Sequence, residues 1–153
     1  MKTICLVFLL FLAMSFSACD KNSASKIPQI TLMAFVPADS MYVNFDTCYI
    51  KFGLADGDGD IGNDTTSVIY LKDSRFESAG FVKTPFPAID ASIEDPKKGL
   101  TGTCIFFPVP QPAPRLDSLH MKQGDTLSYE LYIKDRAGHE SNHITTHQLI
   151  VRP

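Results

Sequence analysis

Apolar and polar residues alternate along much of this chain. Over residues 47–55, Cys48, Ile50, Phe52 and Leu54 share one parity, and Tyr49, Lys51 and Gly53 the other. A period of two is that of a strand with one buried face. Residues 126–134 repeat the pattern with Leu127, Tyr129, Leu131 and Ile133. Three β-rich runs flank these two: residues 29–36 (QITLMAFV, stopped by Pro37), 66–72 (TSVIYLK) and 99–109 (GLTGTCIFFPV). Residues 144–151 read as a closing strand, and 75–98, with Gly80, Pro85, Pro87 and Pro96, as weak strand plus loop. Residues 108–114 (PVPQPAP) read as a stiff connection between strands. Ten Pro and nine Gly spread through the chain disfavour long helices. The pattern predicts an all-β protein, an antiparallel sandwich.

The first residues follow another logic. Lys2 precedes an apolar run over residues 4–14, then Ser15-Phe16-Ser17-Ala18-Cys19-Asp20. A charged start, a short apolar stretch and small residues before a cleavage point make a signal peptide. The apolar run falls short of the roughly 20 residues that span a bilayer. Cys19 after the small residues resembles the lipobox of bacterial lipoproteins, although Phe16 stands where Leu is commonest. The resemblance implies a signal peptide over 1–18, a lipid-anchored tether over 19–27 and a sandwich domain over 28–153. Acyl chains on Cys19 would anchor the protein to the membrane, in the cell envelope and most simply the outer membrane. Whether it faces the periplasm or the exterior stays open. The competing reading is a secretory signal cut near Ala18, with Cys19 a bystander.

Composition narrows the partners. Fourteen scattered basic residues against seventeen acidic ones give a net charge of −3, which disfavours nucleic acid. The absence of Trp weakens a carbohydrate-stacking role. Cys48 and Cys104 remain once the signal and the lipidated cysteine are set aside. In an exported protein they are a candidate disulfide, or else two buried thiols.

Residues 54–64 (LADGDGDIGND) concentrate charge: Asp56, Asp58, Asp60 and Asp64 lie within nine positions. Crowded carboxylates repel one another, and a divalent cation reverses that. Calcium takes six to eight hard oxygen ligands, which alternating Asp side chains in a Gly-rich loop can supply. The loop starts like an EF-hand, but Ile61 stands at the Gly position and Ser67 at the bidentate Glu position. The competing reading is a solvated turn built of ordinary turn residues.

Residues 129–142 (YELYIKDRAGHESN) resemble the last hairpin of bacterial immunoglobulin-like and cadherin-like modules. The DGDGDIG stretch is similar to a loop of small Bacteroidota lipoproteins. Together they imply an immunoglobulin-like β-sandwich at the envelope, and no particular activity. In that topology the strands over 47–55 and 126–134 run the same way. Asp135 is then expected beside Asp56, Asp58 and Asp60 as a further calcium ligand, with Asp64, Asn63 and a carbonyl near Ile61 or Gly62 as weaker ones.

Catalytic motifs are absent from the sequence: no Gly-x-Ser-x-Gly, His-Glu-x-x-His or phosphate loop occurs. His139, His143 and His147 are spaced by four, but along a strand that spacing is about 13 Å, too far to share one ion. They read as a solvent-facing polar face. The expectation is a non-enzymatic, calcium-stabilised binding or structural lipoprotein whose partner is an envelope protein or a glycan. The alternatives are a small metal-dependent hydrolase and a glycan-binding accessory lipoprotein. The latter would stack sugars on exposed Tyr or on Phe81, Phe86, Phe106 or Phe107.

Overall fold

The computed structural model describes residues 25–62, 65–89, 99–108, 116 and 120–153. Cys19, Asn63 and Asp64 lie outside the described residues, as do residues 1–18 and most of the Pro-rich stretch. The described chain is almost entirely β. Its strands are β1 (Gln29–Val36), β2 (Ser40–Tyr42), β3 (Tyr49–Asp56), β4 (Val68–Asp73) and β5 (Val82–Pro85). They continue with β6 (Leu100–Phe106), β7 (Asp125–Leu127), β8 (Tyr129–Lys134), β9 (Ile144–Thr145) and β10 (Leu149–Arg152). The sheet orders are β1-β3-β6, β5-β4-β8-β9 and β2-β10-β7, antiparallel except where β2 runs parallel to β10. Strands distant in sequence thus pair in mainly antiparallel sheets that pack around one core, as in a β-sandwich.

Alternation places the core. Ile50, Phe52 and Leu54 of β3 are at most 4% exposed and join Ile69 and Leu71 of β4, Leu131 and Ile133 of β8, and Leu149 and Val151 of β10. These belong to one buried cluster that draws on all three sheets. Burying them is the main favourable term, about 1.5–3 kcal/mol for each large side chain.

Two runs that read as single strands are each broken by a polar residue. The run over 126–134 divides at Ser128, where β7 pairs with β10 and β8 crosses to β4. There the Ser74 amide donates to the Ser128 carbonyl at 3.0 Å, and the Ser128 amide to Ser74 Oγ at 2.9 Å. The run over 144–151 divides at residues 146–148, because buried Thr146 takes the place of a ladder pair. Its Oγ1 accepts the Tyr129 amide at 2.9 Å and its own amide donates to the Tyr129 carbonyl.

The candidate disulfide is corrected. Cys48 and Cys104 are free thiols. Register puts Cys104 opposite Phe52, four residues along from Cys48. That is about 13 Å of strand, well beyond the roughly 4.4–6.8 Å between Cα atoms that a disulfide spans. Cys48 instead packs in the core, where burial pushes its thiol up to about 12.

Candidate metal centre

β3 ends on Asp56, and the chain turns through residues 57–60 before re-entering the core at Ile61, which is fully buried. That explains the departure from the EF-hand pattern: Ile61 is an apolar anchor that pins the loop to the sandwich. The Asp60 amide donates to Asp56 Oδ2 at 2.9 Å, closing the turn on its own first carboxylate. Gly99, at φ +69°, leads β6 in against the loop backbone. A Cβ there would lie 2.4 Å from the Asp56 carbonyl oxygen, so glycine is required.

Asp56, Asp58 and Asp60 each direct a carboxylate oxygen to within 4.8 Å of the others. Asp56 is only 3% exposed, and Asp58 and Asp60 are half-buried. In all three, Oδ1 is shielded from solvent and has no hydrogen-bond partner among the described residues. Buried polar oxygens are almost always paired, because leaving one unpaired costs about 1–3 kcal/mol. Burial first, then repulsion from Asp58, Asp60 and Asp135, pushes the Asp56 carboxyl up to about 6, against the pull of the Asp60 amide. Asp60 is raised too, by burial and then by Asp135 and Asp58. Three convergent carboxylates, with Arg136 only partly offsetting their charge at Asp60, are a group that could hold a metal ion.

The end of β8 closes this pole. The Arg136 amide donates to the Asp60 carbonyl at 3.1 Å, and the Ala137 amide to Asp60 Oδ2 at 3.1 Å. Asp135 is 1% exposed and near enough to raise Asp56 and Asp60. Its oxygens face elsewhere: Oδ1 accepts the His139 amide at 2.7 Å, and Oδ2 faces His139 Nδ1 at 2.9 Å. Asp135 therefore braces the turn that grips Asp60 and stands outside the convergent group of three. His139, expected on a solvent-facing polar face, is the partner of Asp135 that the sequence did not reveal. The hint was its place four residues after Asp135 in a Gly-containing turn. Asp64 and Asn63 lie outside the described residues.

The remaining histidines sit apart from the acidic group. His143 stacks on Tyr132, ring centroids 4.4 Å apart, with Nδ1 2.7 Å from Glu130 and Nε2 3.3 Å from Glu140. His147 leans on Phe35 at 5.2 Å. Of the phenylalanines weighed as sugar platforms, Phe86 and Phe106 are core, and Phe81 packs edge-on against Tyr132. Phe107 is 42% exposed.

No protein-family model, curated protein or solved structure matches the chain. No helix among the described residues is long and apolar enough to cross a membrane.

Proposed function

We propose that this protein is a lipid-anchored, non-catalytic module of the cell envelope whose sandwich is completed by calcium at Asp56, Asp58 and Asp60. One observation carries the cation: Asp56, buried and with an Oδ1 that has no partner among the described residues, belongs to a group in which Asp56, Asp58 and Asp60 each bring a carboxylate oxygen within 4.8 Å of the others. Calcium is the ion of choice because the converging donors are all hard carboxylate oxygens, with neither imidazole nor thiolate among them. Bound there, it would cancel the repulsion that raises Asp56 and Asp60. It would also fix the loop that Ile61 and the Ala137 amide hold from either side. The pole so stiffened is the surface offered to a partner. The anchor is supported by the order of charged, apolar and small residues before Cys19.

Thermal unfolding in calcium and in chelator tests the reading. A ligand bound only by the folded state raises the midpoint with its concentration, by about 2.7 kcal/mol at a hundredfold excess over Kd. A midpoint indifferent to millimolar calcium would reduce the loop to a turn.

A further inference from the structure

We propose that the acidic pole is the face turned toward the membrane, where its cation bridges the domain to the phosphates of an anionic lipid surface. This rests on the lipid anchor and the calcium site of the preceding section. The position of the N-terminal segment carries it. The Gly57 amide donates to the Ser25 carbonyl at 2.8 Å, and Gly57 stands between Asp56 and Asp58. β1 then leads away from this pole, with Gln29 opposite Ala55. The chain thus joins the sandwich at the acidic loop. Five residues lie between Cys19 and Ser25, a contour of about 20 Å at full extension over the six steps. An anchor at Cys19 therefore holds this end of the domain close to the lipid.

The rim suits such a contact. Lys26 is exposed and Ile27 is 48% exposed, a cation beside an apolar side chain. A pocket of about 190 Å³ opens next to Asp56, lined by Ser25, Ile27, Gln29 and Thr101. Without a cation, three crowded carboxylates are repelled by an anionic surface within a Debye length of about 8 Å. A divalent ion reverses the sign, and lipid phosphate oxygens are hard donors of the kind calcium accepts.

The chain has no Trp, so a single introduced one reports its own surroundings. Ile27→Trp places it at the acidic pole. Phe45→Trp places it before β3, about 25 Å away along that strand, at a position 87% exposed. The mature acylated protein is inserted in vesicles of phosphatidylcholine alone, or mixed with phosphatidylglycerol, with a brominated lipid as quencher. Calcium with phosphatidylglycerol should blue-shift Ile27→Trp and quench its emission, as for a side chain at the headgroup boundary. Chelator or neutral lipid should leave it in water, and Phe45→Trp should not respond. Quenching of Phe45→Trp instead, or equal quenching of Ile27→Trp under all conditions, overturns the proposal. If calcium raises the unfolding midpoint but quenches neither reporter, the site stands and the membrane bridge falls. If the protein fails to enter vesicles at all, the proposal falls with its anchor.

Discussion

The main-chain amide of Ala137 donates to Oδ2 of Asp60 at 3.1 Å, joining two loops that lie 77 positions apart in sequence. One loop follows β3 and the other follows β8, which belong to different sheets. The acceptor is one of the three convergent carboxylates. Anything that settles the charge on Asp60 therefore acts on the joint between the sheets, so a cation held there would stabilise the whole sandwich.

Removing a carboxylate should change sign with calcium. Asp58 has an unpartnered buried oxygen and raises both of its neighbours. Asp58→Asn should stabilise the metal-free protein by about 0.5–1 kcal/mol through relieved repulsion. In saturating calcium the same variant should melt below the parent. Paired unfolding curves in chelator and calcium check the crossing, and parallel shifts would contradict it.

Acid should compete with the cation. The folded-state carboxyl of Asp56 lies at about 6, above its ordinary 3.8. Its contribution to metal-free stability is fully present below the ordinary value and is lost as pH rises through about 6. Asp60 is shifted the same way. Calcium requires the ionised form, so its apparent affinity should fall as pH drops through about 6. Calcium titrations from pH 5 to about 8 measure this, and an affinity flat across that range would contradict it.

The close approach of Gly99 makes a sharp contrast with Gly102. An added Cβ at Gly99 meets the Asp56 carbonyl oxygen at 2.4 Å with φ at +69°, whereas at Gly102 it meets nothing within 4 Å. Gly99→Ala should cost about 2–3 kcal/mol and weaken calcium binding by displacing Asp56. Gly102→Ala should stay within about 0.5 kcal/mol of the parent. Denaturant unfolding of the two variants decides it.

His143 should give a second pH dependence, away from the metal. Its two ring nitrogens face Glu130 and Glu140, and a ring donates through both only as imidazolium. Glu130 leads the other causes in raising His143 above its ordinary 6.5, and both glutamates are lowered in return, chiefly by Lys72 and Lys134. The contribution of His143 is complete below the ordinary value and is lost as pH rises through the elevated one. His143→Phe keeps an aromatic ring on Tyr132 and removes the charge. Its unfolding midpoint should vary less than the parent's between pH 6 and about 8. An unchanged pH profile would show that the bridge contributes nothing.

The long alternating runs made most of the fold legible, because Ile50, Phe52 and Leu54, and then Leu131 and Ile133, mark the buried face by parity alone. The polar breaks were hidden. Ser128 and Thr146 fit a strand by propensity, and only their bonds to Ser74 and Tyr129 show that the ladder ends there. The three-residue strand β2 was too short to carry a period. At the site, the spacing of Asp56, Asp58 and Asp60 showed the crowding of charge. It could not show that Asp135 would turn its oxygens to His139, since a side-chain rotamer leaves no trace in composition.

The most direct test is calcium titrated into the chelator-treated protein near pH 7.4 and followed by calorimetry. The account predicts one calcium bound per chain, lost in Asp58→Asn and Asp60→Asn variants that still unfold cooperatively. No binding at millimolar calcium, or binding that survives both substitutions, would contradict it.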